Sequence, residues 1–146
     1  MRQPPTHERK GLFKIFAGLL AVLSGCAPVG LNLPAAMARA DARTYAACGR
    51  HADPTSVHLV RGYIQCGAQA NTWGCTWTDT GEVLLSRTVK TQAALEMVAT
   101  HEYLHLLGAE HIAAGHGIMG VDAGSMIDRV TAEDLATARC PAPRAE

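Results

Sequence analysis

The order of apolar and polar residues first predicts a group of short strands. Residues 57–60 and 63–66 are short runs rich in apolar residues, residues 73–78 alternate in strand fashion, and residues 82–86 form another apolar run. Asp79-Thr80-Gly81, between the last two runs, is typical of a hairpin turn. We therefore predict a small twisted sheet in this half of the chain.

The pattern changes to that of a helix at Thr91. Residues 92–99 are strong helix formers, and Thr91 itself is a candidate N-cap. Gly108 is a natural residue just past a helix end, because glycine adopts the left-handed conformation without strain. We expect this helix to run to about Leu107.

The remaining segments are predicted to be a tether, a loop and a closing helix. Residues 26–44 contain prolines and many alanines, a composition that we interpret as a tether. A Gly-rich loop follows the first helix, and a last helix is expected from Thr131, with Asp134 completing an acidic variant of the capping box. The prediction is one α+β domain over residues 45–146.

Residues 1–25 are typical of an export signal. A basic stretch leads into the apolar run 15–23, which ends in Leu23-Ser24-Gly25-Cys26. This ending resembles the lipobox of bacterial lipoproteins, which implies cleavage before Cys26, lipidation of its thiol and a membrane anchor. Because Ala27 stands where Asp would signal inner-membrane retention, we favour the outer membrane. Secretion after cleavage at Ala38-Arg39-Ala40 and an uncleaved anchor stay open, and all three interpretations place the domain outside the cytoplasm.

Composition and charge narrow the possible functions. The chain has 146 residues, of which 48% are hydrophobic, so one packed domain is expected. Its formal charge is zero, but the first 26 residues hold four basic side chains and one acidic one. The remaining 120 therefore carry nine basic and twelve acidic side chains, a net charge of −3. This balance excludes a basic nucleic-acid-binding surface.

The cysteines fit an oxidising compartment. Apart from Cys26 the chain holds four, Cys48, Cys66, Cys75 and Cys140, an even number that allows three pairings. We favour Cys66 with Cys75, which closes a short loop, and Cys48 with Cys140, which ties the two ends of the domain together.

The segment HEYLHLLGAEH, residues 101–111, carries the most specific chemistry in the sequence. His101 and His105 are one helical turn apart on the same face, a spacing at which both can bind one metal ion. Glu102 is offset around the helix, beside the metal and not on it. Gly108 permits a sharp turn that brings His111 round as a third ligand. Three nitrogen ligands leave one position for water, which is typical of a catalytic zinc site.

The full pattern H-E-x-x-H-x-x-G-x-x-H resembles that of the metzincin zinc peptidases, and residues 95–111 and 131–135 look most like the matrixin branch. The resemblance covers about residues 92–139 and is specific in 101–119. The resemblance implies an abbreviated zincin fold: a small sheet on an active-site helix, a Met-turn loop and a C-terminal helix. Met119 is the candidate Met-turn residue, and Met126 is the fallback. The chain departs from matrixins at Leu104 and Ile112, and the branch's proline after the Met-turn is missing.

The implied function is a zinc-dependent endopeptidase of peptide or protein substrates. Glu102 would take a proton from water and later give it to the leaving amine. An exposed edge strand, either 73–78 or 82–86, would align an extended peptide. Two alternatives stay open: a catalytically silent zinc-binding or interaction lipoprotein on the same scaffold, and a zinc hydrolase of a non-peptide amide such as a cell-wall bond.

Overall fold

The computed structural model describes residues 30–121 and 126–141, so the predicted export signal and Cys26 lie outside the described residues. The described chain is a small α+β fold with two helices, a three-stranded sheet and a separate hairpin. Neither of the two helices in this described part of the chain is long and apolar enough to cross a membrane. The elements in chain order are α1 (Leu33–Cys48), β1 (Ser56–Val60), β2 (Ile64–Cys66), β3 (Gln69–Thr72), β4 (Gly74–Trp77), β5 (Glu82–Ser86) and α2 (Gln92–Leu106).

The three-stranded sheet has the order β1-β5-β4. Strand β1 pairs with β5 in parallel, and β4 pairs with β5 as the predicted antiparallel hairpin. Val83 and Leu85 of the central strand are fully buried in the core beneath α2. The four strands predicted from the sequence are confirmed within a residue or two, and β4 is an edge strand of this sheet.

Strand β3 was not predicted. It pairs with β2 in a hairpin outside the main sheet, where Ile64 lies opposite Thr72. The residues of β3 are mostly exposed, so its sequence lacks the apolar alternation that marks a half-buried strand. A disulfide between Cys66 and Cys75 joins this hairpin to β4, as the cysteine spacing predicted.

Helix α2 forms as predicted. The Thr91 side chain accepts a hydrogen bond from the Ala94 amide at 3.1 Å, which caps the first turn. The helix ends at Leu106, and Gly108 takes the left-handed conformation with φ of 89°. Most of its second half is buried, which places the histidine motif between the sheet and the loops that follow.

The prediction of a tether over residues 26–44 is wrong from residue 33 onward, because α1 belongs to the domain. Asn32 caps its first turn by accepting from the Ala35 amide at 3.0 Å, and Gly49 ends it with φ of 68°. Ala36 and Ala40 are fully buried in the core that α1 shares with α2. Their small side chains allow the two helices to approach closely, and for the same reason they gave no strong hydrophobic signal in the sequence.

The predicted C-terminal helix is also wrong. Residues 132–135 form a hydrogen-bonded turn, and the bonds around it join residues three apart, such as that from the Leu135 amide to the Ala132 carbonyl. This pattern of hydrogen bonds ends at Arg139, whose amide donates to the Leu107 carbonyl at 2.6 Å. The second predicted disulfide, Cys48–Cys140, fastens this segment to the end of α1.

Candidate metal centre

Helix α2 supplies two of the three imidazoles at the candidate metal centre. His101 and His105 lie one turn apart, and their Nε2 atoms are 3.1 Å from each other. His101 is buried and His105 is half-buried, so both rings are held by the packing around the helix. This placement agrees with the spacing argument made from the sequence.

His111 reaches the same point from the loop that follows the helix. The left-handed turn at Gly108 reverses the chain, and the His111 Nε2 lies 3.1 Å from that of His101 and 3.2 Å from that of His105. The three rings therefore present their Nε2 atoms to one common point, as predicted.

Backbone carbonyls orient the two helix-borne rings. His101 donates from Nδ1 to the Ile118 carbonyl at 2.8 Å, and His105 donates from Nδ1 to the Ala109 carbonyl at 2.8 Å. A neutral imidazole with its proton on Nδ1 has a free lone pair on Nε2, the form that binds a metal. Lone pairs this close together repel each other, and a cation between them removes the repulsion.

Burial keeps these rings in the ligand form. It lowers the pKa of His101 to about 3, helped by the neighbouring His105, and it lowers the pKa of His105 to about 4. The pKa of the more exposed His111 is also lowered by burial. At neutral pH the three imidazoles are therefore unprotonated and able to coordinate.

The spacing of the nitrogens fits a small divalent ion. An ion about 2.0–2.1 Å from each Nε2, the usual zinc–nitrogen distance, would have N–metal–N angles of about 100°, close to tetrahedral. Together with the lone-pair arrangement, this shows that His101, His105 and His111 can hold a metal ion. Three imidazoles suit zinc, although they also bind other first-row metals.

Glu102 lies beside the three histidines with only 4% of its surface exposed. Its Oε2 accepts a hydrogen bond from the Thr76 hydroxyl of β4 at 2.7 Å. Burial raises the pKa of Glu102 to about 8, and the bond from Thr76 acts in the opposite direction. In the metal-free protein Glu102 therefore holds a proton up to a higher pH than an exposed carboxyl group would, and strongly perturbed pKa values of this kind are common at functional sites.

The loop predicted to contain a Met-turn runs beneath the histidines. Ile118 and Met119 are fully buried, and the Ile118 carbonyl accepts the hydrogen bond from His101 Nδ1. The Ile112 amide donates to the Met119 carbonyl at 3.0 Å, and this hydrogen bond joins the loop to the segment that carries His111. Met126, the fallback, is only partly buried and packs against the hydrophobic cluster that contains Ile118 and Met119. The geometry agrees with Met119 as the turn residue, whose role stays a prediction.

Asp134 is a supporting residue that the sequence analysis treated only as a helix cap. Its carboxylate is fully buried and accepts from the Met119 amide at 2.8 Å and from the Thr131 amide at 2.6 Å. A side chain at Gly117 would overlap this carboxylate, so the loop packs directly on it. The Thr-x-x-Asp spacing gave the capping contact, which is confirmed, but no local pattern pointed to Met119.

A cleft of about 620 Å³ opens above the cluster. It is lined by residues of β3 and β4, by Glu102 and the histidines, and by Gly120 and its neighbour Val121. The cleft gives an extended molecule access to Glu102 and to the point where the three Nε2 atoms meet. Its lining includes Asn71, Trp73, Thr76, Val98, Val121 and Met126.

Comparison of the chain with protein-family models, with curated proteins and with solved structures finds no match. The described residues thus form a small α+β fold with a candidate metal-binding site, and the resemblance to metzincins rests on the sequence motif and stays a prediction.

Proposed function

We propose that the protein is a zinc-dependent peptidase that hydrolyses peptide bonds in the cleft beside α2. The observation that carries the proposal is the convergence of three Nε2 lone pairs, 3.1–3.2 Å apart, next to the buried carboxyl group of Glu102. A hydrolase needs a base beside the metal, and the buried Glu102 carboxyl group therefore favours a hydrolase over a site that only stores or senses zinc.

The chemistry divides between the ion and the protein. A bound zinc ion would polarise the scissile carbonyl and make a water molecule more acidic. Glu102, whose ionised form a neighbouring cation would favour, would accept the proton of that water and later deliver it to the leaving amine. His101, His105 and His111 would hold the ion, and the carbonyls of Ile118 and Ala109 keep the first two rings in orientation.

Strand β4 supports the proposed alignment of a peptide substrate. The sequence left open whether residues 73–78 or 82–86 supply the edge, and β5 is the central strand, so only β4 is a candidate. It pairs with β5 along one side and borders the cleft near Glu102. An extended peptide added along this edge would bring a backbone carbonyl towards the metal.

The proposal keeps the predicted location of the protein, exported and lipid-anchored through Cys26 on a bacterial envelope. Both disulfides pair as predicted, and such bonds are typical of chains that fold outside the cytoplasm. A domain displayed there would meet peptides or proteins of the envelope and its surroundings as substrates.

Two measurements on the purified full-length chain test the proposal. Metal analysis after zinc loading should find one zinc per wild-type chain and a loss of at least about tenfold in zinc affinity for His111→Ala. Digestion of a mixed peptide library should give cleavage products with wild type and, at unchanged zinc content, none with Glu102→Gln. The exposed Glu110→Gln serves as a matched control and should cleave like wild type.

Other outcomes would replace the proposal by one of the alternatives. Zinc binding by both wild type and Glu102→Gln, with no cleavage by either, would favour the silent zinc-binding lipoprotein. Release of fragments from cell-wall material but not from peptides would favour a hydrolase of a non-peptide amide.

A further inference from the structure

Glu102 makes few polar contacts for a buried carboxyl group. Among the described residues the only side chain that bonds to it is Thr76, whose hydroxyl lies 2.7 Å from Oε2. The same hydroxyl lies 3.1 Å from the Glu102 backbone carbonyl, so its single hydrogen is shared between the side chain and the backbone of this residue. A single threonine therefore links the edge strand to the carboxyl group beside the metal-binding cluster.

Gly74 makes the second contact between β4 and Glu102. A Cβ atom at this position would overlap Oε1 and crowd the rest of the carboxyl group. Since alternate residues of a strand face the same side, Gly74 and Thr76 both face α2. The carboxyl group thus packs against β4 at Gly74, which has no side chain, and at Thr76, which provides a hydroxyl.

Cys75, which lies between Gly74 and Thr76, fixes the opposite face of β4. Cys75 is buried and joined to Cys66 of the β2–β3 hairpin. Because neighbouring side chains point to opposite faces of a strand, this disulfide holds β4 without occupying the face that contacts Glu102.

From these contacts we infer that β4 positions the Glu102 carboxyl group for proton transfer, through the Thr76 hydroxyl and the absence of a side chain at Gly74. Thr76 and Gly74 are positioning residues in this inference, which rests on the proposed peptidase function. With Oε2 held by Thr76, Oε1 remains for water, since no hydrogen bond to it is present among the described residues. The edge strand would then serve both the alignment of the substrate and the orientation of the base.

The test compares three variants of the full-length chain. Thr76→Val keeps the shape of the side chain and removes the hydroxyl, Thr76→Ser keeps the hydroxyl, and Gly74→Ala adds the methyl group that meets Oε1. Thr55→Val is the matched control, because its hydroxyl donates to the Thr80 carbonyl at 2.8 Å outside the cleft. We expect Thr76→Val and Gly74→Ala to lower kcat about 10- to 100-fold with KM and zinc affinity nearly unchanged. Thr76→Ser should recover kcat to within about threefold of wild type.

A crystal structure of each metal-free variant gives a readout that does not depend on activity. Thr76→Val and Gly74→Ala should show the Glu102 carboxyl group displaced by about 1 Å or more, and Thr76→Ser should show it in place. A carboxyl group that stays in place in Thr76→Val and Gly74→Ala would overturn the inference. If wild type binds zinc but cleaves nothing, the proposed function fails, and the carboxyl position in these crystals still decides whether β4 orients Glu102.

Discussion

The two halves of the domain are held together in different ways. In the first half α1, the sheet and α2 share one continuous core, and regular hydrogen bonding satisfies most of the backbone. After Gly108 the described residues form loops and turns around a small cluster of Leu104, Ala109, Ile118 and Met119. Scattered contacts connect these loops to each other and to α1, among them the bridge between Ile112 and Gly120, the buried Asp134 carboxylate, the Arg43–Asp128 ion pair and the Cys48–Cys140 disulfide.

The candidate metal centre spans both halves. His101, Glu102 and His105 belong to the helix, whereas His111 belongs to the loops. The helix fixes its groups through many distributed contacts, so single changes there should be tolerated. The loops depend on a few contacts, so the loss of any one of them should affect the metal site strongly.

The largest expected effect comes from the disulfide that joins the halves. Replacing Cys48 and Cys140 with serine should lower the free energy of unfolding by about 4–5 kcal/mol, because the bond closes a loop with a sequence separation of 92 residues. The same change at Cys66 and Cys75, separated by 9 residues, should cost about 3 kcal/mol. Denaturant titration measures both.

Amide hydrogen exchange locates the effect of each change. In the Cys48/Cys140 variant the amides of Ile112, Ile118 and Met119 should lose protection before those of Leu95 to Leu104 in the helix. Equal loss of protection in helix and loops would contradict the difference between a first half held by a continuous core and a second half held by a few separate contacts.

A slightly smaller effect is expected at the buried carboxylate. Asp134→Ala leaves the amides of Met119 and Thr131 without their acceptor, which should cost about 3–5 kcal/mol. Zinc affinity should fall as well, because the displaced loop carries the carbonyl that orients His101. Calorimetry and zinc titration measure the two effects.

The neighbouring Glu133 provides the matched control. Its side chain is exposed, so Glu133→Ala should change stability by less than about 0.5 kcal/mol and leave zinc affinity unchanged. If Asp134→Ala were equally harmless, the loops would be held by contacts other than this carboxylate.

The smallest expected effect concerns the pH dependence of the metal-free protein. His101 and His105 have lowered pKa values, so the unfolded chain binds more protons below about pH 6.5 and stability rises with pH up to that point. Glu102 has a raised pKa of about 8, so the folded chain holds the extra proton and stability falls with pH from about 4.5 to 8. Above pH 6.5 the two histidines no longer contribute, and only Glu102 changes the stability. It lowers the free energy of unfolding by about 2 kcal/mol between pH 6.5 and pH 8.

Urea unfolding with a chelator present, at pH values from 5 to 9, measures this curve. Glu102→Gln should remove the decline above pH 6.5, and the exposed Glu110→Gln should retain it. A decline that persists in Glu102→Gln would show that a different group causes it.

The sequence predicted the elements whose residues carry a periodic apolar pattern. Helix α2 and strands β1, β2, β4 and β5 follow from such patterns and from the caps at Thr91 and Gly108. Helix α1 was missed because its buried positions are small, although Asn32 before it and Gly49 after it are signals that would have found it. The C-terminal helix was predicted from a true capping contact, but Asp134 uses that contact to hold a loop.

In the candidate site, too, the features that depend on a local sequence pattern were predicted and the others were not. The histidine spacing on a helix, together with a glycine at the turn, was enough to predict that His101, His105 and His111 meet. The contacts of Thr76 with Glu102 and of Asp134 with Met119 join residues 26 and 15 positions apart, and each depends on how separate elements pack. Such contacts leave no local pattern, so only the folded arrangement reveals them.

The bond between Cys48 and Cys140 also determines what a single cut in the backbone would do. Every residue from 49 to 139 lies inside a covalent ring, which includes the exposed Gly115 stretch where a protease would most readily act. A molecule nicked there keeps its mass apart from one added water, and its two fragments separate on a gel only after reduction. A cut of this kind would therefore pass unnoticed in a non-reducing assay, although the loop that carries His111 had already been opened.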